Sequence, residues 1–357
     1  MSLAQIARLA GVSPAAVSFA LRGSHKVSPA TRARVQEIAD RLGYRPNAKL
    51  SELMAQTRAS QNPEVKSCLG VISLHDEPRP WEHSEHFSRI HQSMSRRATQ
   101  LGYRLEPFWL GAPGMTPGRL RSVLDTRGIQ GLLSFGSPVL NARFPAELDH
   151  YAVVTIGLSL RTSLNRITSH FYNDATQVLN KVHSLGYRRP AMVIGQFEEV
   201  RTAYAVGAYL GWCERMLPES PPIPVLRLDW SEQRPFFTWF ERHRPDVVVV
   251  VLLSNALPEF SRLLRQKKIS VPSDLGVAVI THFLEGSGFC GLQQNQELMG
   301  EWAVDQLVAR INHRDFGIPT HPHIEMVEGC WVEGTSLRST AAELAASPRR
   351  PTRTRSG

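Results

Sequence analysis

Cysteine is scarce in this chain: four among 357 residues, at positions 68, 213, 290 and 330, with no CxxC pair. That scatter excludes a disulfide framework and a zinc ribbon, and the four read as buried thiols of a reducing compartment. Long apolar runs are missing too. The longest, Val247 to Leu253, suits a buried strand and falls well short of a membrane span. The amino end has no charged-then-apolar export signature, so a cytoplasmic location without a membrane partner is expected. No GxGxxG loop occurs, and Gly286-Ser287-Gly288 is not a GxSxG nucleophile elbow. With no catalytic constellation in view, an enzyme is not expected and no cofactor is implied. His83 with His86, and His321 with His323, have metal-compatible spacing but no thiol partners. They read as exposed loop histidines rather than metal ligands.

The charge that is present sits at the two ends. Of a formal net charge of +9, residues 1–60 carry +6 and residues 338–357 carry +4, which leaves −1 on everything between. Cationic ends of this kind suit phosphate attraction. The first end is also patterned. Leu3, Ile6, Ala7 and Ala10 fall on one helical face, with Ser2 before them as a cap. Gly11 can take the left-handed conformation that turns the chain, Val12 drops inward, and Ser13 caps a second helix that has Pro14 at its first position. On that second helix Val17, Ala20 and Leu21 face inward, while Ala15, Ser18, Phe19 and Arg22 face out. A third helix starts at Ser28-Pro29, buries Val35, Ile38, Ala39 and Leu42, and stops at Gly43. Helix, glycine turn and helix at this spacing is the helix-turn-helix pattern, whose second helix enters the DNA major groove.

The text IARLAGVSPAAVSFAL, then KVSPATRARV, then LGYRPNAKLSELM resembles the headpiece and hinge of the lactose-repressor (LacI) family of bacterial transcription regulators. The likeness is ungapped over about the first 55 residues and looser out to about Leu337. It implies a regulator, mostly a repressor in this family, that binds double-stranded operator DNA as a homodimer on a near-palindromic site. Ser2, Ser18, Ser28 and Thr31, with Lys26 and Asn47, are expected to contact the DNA backbone. Base reading falls to Pro14, Ala15, Ala16, Phe19 and Arg22. Many relatives carry Thr at the position of Ala16 and Arg at that of Phe19. Their loss here favours apolar contact with thymine methyl groups over bidentate guanine contacts. A second reading puts Phe19 in the headpiece core. Leu53 matches the leucine that relatives wedge into the minor groove from the hinge.

Beyond the polar linker Thr57–Ser67, apolar strands alternate with helical stretches, as in parallel sheets wrapped by helices. The expected fold is an all-α helix-turn-helix headpiece (1–46), a hinge and linker (47–67) and an α/β periplasmic-binding-protein-like effector domain (68–337). The resemblance implies two parallel-sheet subdomains in that domain, at about 68–160 plus 291–322 and 161–290 plus 323–337. A basic tail follows at 338–357. Between the subdomains the family holds a small-molecule effector. His75, Trp81, Phe87, Arg201, Tyr204, Trp230 and His282 are candidates to line that cleft. Sugar-binding relatives use an Arg where this chain has Ala208, an Asp pair where it has Thr281-His282, and Asp-Asn where it has His170-Phe171. A standard sugar grip is therefore not expected, and both an unusual ligand and no ligand remain open. So does a plain small-molecule-binding protein of the same fold.

Overall fold

The computed structural model describes residues 3–13, 16–17, 20, 27–42, 67–139, 141–195, 199–229, 232, 234–251 and 256–339. The chain divides into two units, Met1–Lys66 and Ser67–Gly357.

In the first unit, α1 (Leu3–Ala10) and α2 (Pro29–Arg41) enclose one small core. Ile6, Ala7, Ala10, Val17, Ala20, Val35 and Ala39 are its buried members, with Val12, Val27, Ile38 and Leu42 packed against them. The apolar positions picked out by helical spacing are thus the ones that close the core. Leu3 and Leu21 are expected there too, and Gly43 at the end of the third helix; Leu21, Gly43 and the side chain of Leu3 lie outside the described residues.

The second unit holds two six-stranded sheets. The first contains β1 (Ser67–Ser73), β2 (Tyr103–Trp109), β3 (Gly131–Ser134), β4 (Ala152–Ile156), β5 (Asn165–Ser169) and β11 (Ile324–Val327), in the order β11-β5-β4-β3-β1-β2. Every pairing in it is parallel. The helices α3 (Glu85–Gln100) and α9 (Gln296–His313) cover one face, and α4 (Pro117–Thr126) covers the other. The second sheet contains β6 (Pro190–Gly195), β7 (Leu226–Leu228), β8 (Val247–Val251), β9 (Gly276–Thr281), β10 (Cys290–Gln293) and β12 (Cys330–Val332). Its order is β12-β10-β9-β8-β6-β7, and β12 alone is antiparallel. Here α5 (Phe171–Ser184) and α6 (Glu199–Met216) take one face, α7 (Arg234–His243) and α8 (Leu257–Gln266) the other. The all-valine β8 shows why a continuous apolar run was required. Val247, Val249 and Val251 enter one core while Val248 and Val250 enter the opposite one.

The crossovers between subdomains correct the expected boundaries. Residues 165–169 and 324–327 belong to the first sheet and 290–293 to the second, so each crossing lies later than 160, 290 and 322. The cause is physical. β5 begins Asn165-Arg166, with no apolar run to announce it, and its place comes from long-range pairing: Arg166 N donates to His323 O at 2.9 Å, and His323 N to Asn165 Oδ1 at 2.9 Å. The cysteines are all free, but only Cys213 and Cys290 are buried; Cys68 is half-buried and Cys330 exposed, against expectation. Cys330 lies on the edge strand β12, and Cys68 near the start of β1, before its pairing with β3 begins at Gly70. No helix among the described residues is long and apolar enough to cross a membrane.

Candidate functional site

In the headpiece, Gly11 adopts φ +63°, where a Cβ would be strained, and the chain turns there. Val12 N donates to Ala7 O at 3.0 Å, which closes α1. Ser13 Oγ then accepts from Ala16 N at 3.2 Å and caps the next helical turn. Ala16, Val17 and Ala20 are helical; Val17 and Ala20 are buried in the core and Ala16 is half-buried. The helix therefore turns the face bearing Val17 and Ala20 inward, as its pattern requires. Ser28 Oγ accepts from Thr31 N at 3.2 Å and shares a hydrogen bond with Thr31 Oγ1 at 2.9 Å. One of these two hydroxyl hydrogens is committed within the pair, and one is left for a phosphate. Ser2, Pro14, Ala15, Ser18, Phe19, Arg22, Lys26, Asn47 and Leu53 lie outside the described residues.

The cleft between the two sheets is formed at the carboxyl ends of their strands. His75 follows β1, and its ring meets Phe87 edge-on at 5.4 Å. Burial first, against the pull of the Phe135 carbonyl and of Glu77 and Asp76, holds its pKa below the ordinary imidazole value. Its Nε2 is buried without a partner. Phe87 also packs on Phe135 at 5.2 Å. Trp81 sits in the first-subdomain core, stacks on His91 at 4.2 Å and 1°, and packs on Phe135 at 5.5 Å. Burial, then the charge of Arg79, depresses His91 to about 4. Tyr204, on α6, is 41% exposed. The Arg201 side chain and Trp230 lie outside the described residues.

His282 carries the clearest contact across the cleft. It follows β9, is only 7% exposed, and stacks at 3.7 Å and 11° on His86 of α3. Its carbonyl accepts from Gln296 Nε2 at 2.9 Å. Next to it, the Arg89 guanidinium lies 4.5 Å over the Phe283 ring. Sequence reading placed His86 in an exposed loop; it is instead half-buried on a helix. The sequence pattern does predict a helix starting at His86, as found; what it did not show is the burial of the ring. His83 does remain exposed, beside Glu77, and His321 and His323 are exposed.

The positions where sugar-binding relatives are expected to place charge are filled otherwise. Ala208 is fully buried in the second-subdomain core, and Thr281 is buried. His170 caps α5 by accepting from Asn173 N at 3.3 Å, with Phe171 buried behind it. A cation does lie nearby that spacing did not reveal. Arg166 is buried and donates to the carbonyls of Leu160, Thr162 and Leu164, so its guanidinium ties down the loop before β5. Burial lowers its pKa and the Tyr204 hydroxyl, approaching from the other subdomain, opposes that.

Residues 2–47 match the family described as bacterial regulatory proteins, lacI family. Over these residues the headpiece is similar to the DNA-binding end of that family. A 74-residue stretch is 46% identical to the HTH-type transcriptional regulator GalS of Salmonella typhimurium strain LT2. That stretch is 21% of this chain and 19% of GalS, so the chain matches about a fifth of the curated relative's length. Solved LacI-type structures share the fold over most of the chain. The transcriptional regulator CelR–cellobiose complex matches with TM-score 0.58 at 21% identity, over 94% of this chain and 99% of that one. The lac repressor dimer bound to operator and the anti-inducer ONPF matches with TM-score 0.57 at 19% identity, over 94% and 98%. A periplasmic binding protein/LacI transcriptional regulator from Alkaliphilus metalliredigens, complexed with D-xylulofuranose, gives 0.54 at 15%, over 76% and 100%. The second unit thus has the periplasmic-binding-protein-like fold of LacI-type regulators.

Proposed function

We propose that the protein is a sequence-specific transcriptional regulator of the LacI type, a repressor that binds a near-palindromic operator as a homodimer in the cytoplasm. The observation that carries this is the lacI-family match over residues 2–47 together with the small headpiece core in which Val17 and Ala20 are buried. Pro14, Ala15, Ala16, Phe19 and Arg22 read bases, and Ser2, Ser18, Ser28, Thr31, Lys26 and Asn47 hold phosphates. Selection of binding sites from random duplex DNA tests it. Enrichment of sites with T·A pairs beneath the second helix is expected. No enriched site at low salt would sink the regulator reading, and a G·C-only consensus would sink the thymine-methyl account. Leu53→Ala should weaken specific binding roughly 10-fold or more while leaving non-specific binding nearly unchanged, in line with a lost minor-groove wedge. Titrations on both duplexes check this, and equal loss on both would refute the wedge.

The cleft takes a small molecule, and its opening or closing biases the DNA-binding state by the ligand's preference between the two. His75, Phe87, Tyr204 and His282 are the lining residues supported by geometry, with Arg201 and Trp230 retained from sequence. Imidazole and aromatic rings, and no Arg–Asp grip at positions 208 and 281–282, favour a ligand held by stacking and by a donor to His75 Nε2. Regulators of this kind are not enzymes.

A further inference from the structure

The three chain crossings between the subdomains converge on one buried carboxyl group. Asp174, in the first turn of α5, has no exposed surface. His170 N donates to Val327 O at 2.8 Å, which joins the first crossing to the third. Gly329 N donates to Asp174 Oδ1 at 3.0 Å, which ties the third crossing to α5. At residue 329 a Cβ would stand 2.9 Å from Gln293 O, the end of β10, from which the second crossing departs. The other oxygen, Asp174 Oδ2, is buried and finds no donor. An ionised carboxylate half-satisfied in this way is costly. Burial is the largest influence on its pKa, which stands at about 6; the Gly329 N–H and the His170 ring pull it down, and the charge of Glu328 pushes it up. Among the described residues, β10 and the start of α9 bring no charged group to bear on it.

We propose that Asp174 is a positioning residue of the hinge, and that its ionisation biases the subdomains away from the arrangement seen in this structure, which is taken as the closed one. The neutral carboxyl costs less in the dry junction than the charged one. The carboxylate needs a second donor, which water supplies only when the crossings part. Closure is therefore linked to uptake of one proton. The consequence for DNA binding rests on the cleft reading above; the hinge equilibrium itself does not, and it is measured without DNA. A protein that opens and closes as described yet binds no duplex would leave this inference standing while sinking the regulator reading.

The test uses the full chain, with carboxyl-13C aspartate labelling followed by NMR and with small-angle scattering across about pH 5 to 7.5. The Asp174 resonance is expected to titrate near 6, and the radius of gyration to rise through that window. The shift from the ordinary carboxylate range corresponds to a bias of up to about 100-fold in the closing equilibrium. Asp174→Asn keeps an acceptor for Gly329 N and should stay compact at every pH. A carboxyl that titrates in the ordinary range, a pH-indifferent radius in the wild type, or an Asn variant that keeps the wild-type profile would overturn the proposal. If the Asn variant does not fold, the two wild-type measurements decide alone.

Discussion

A single buried carboxyl group shows how much one residue can carry. Asp174 lies one position before the apolar series Ala175, Val178, Leu179 and Val182 of α5, all of which are buried. Its folded pKa of about 6 is above the unfolded value, so the folded state holds the proton more tightly. Stability is then greatest below the unfolded value and falls as pH rises from about 4 through 6. Asp174→Asn should raise stability by up to about 3 kcal/mol at pH 7.5 and change it little at pH 4. Thermal unfolding at both pH values checks this; equal shifts at the two would mean that charge is not the cause. An acid placed directly before an apolar helical face was a legible signal, but the meeting of three crossings around it was not. Sequence spacing likewise located Val17 and Ala20 in the headpiece core, where local helical period decides. It misplaced His86, whose partner His282 is almost two hundred residues away.

At the scale of elements, local pattern was enough for the long helices and for the apolar strands. It failed for β5, β10, β11 and β12, which are short and sit beside the crossings. Asn165, Arg166, Gln293 and Glu325 interrupt the apolar character of β5, β10 and β11, and β11 and β12 find their places only by pairing with β5 and β10, far back in the chain. Two helical glycines separate packing from propensity. Gly300 of α9 faces Ile90 O and Ser93 Oγ of α3 so closely that any Cβ would collide with them. Gly207 of α6 is exposed with open space around it. Gly300→Ala should destabilise by about 1–3 kcal/mol through overpacking, whereas Gly207→Ala should stabilise by about 0.5–1 kcal/mol through helix propensity. Chemical denaturation of the two variants checks both signs, and stabilisation at residue 300 would deny the close crossing of α3 and α9.

Across the whole second unit, the contacts between the subdomains among the described residues include a stacked pair of rings and a guanidinium over a ring. The His86–His282 stack, the Arg89–Phe283 contact and the three crossings join the subdomains. His282→Ala should therefore enlarge the radius of gyration and weaken any closure-dependent change in DNA affinity, while His282→Phe should keep both near wild type. Scattering on the two variants checks this. An unchanged radius in the Ala variant would assign closure to the crossings alone.

What the residue string settled unaided was everything governed by near neighbours. Helical period, the Gly11 turn, the Ser13 cap and the apolar runs of β1, β4 and β8 each depend on residues a few positions apart, and the same is true of the lacI-like headpiece. Tertiary structure alone decided which short strands changed subdomain, which histidines met across the cleft, and where a carboxyl group was stranded without a second donor. Those outcomes follow from contacts between segments far apart along the chain, and no local spacing encodes the path by which the backbone brings them together.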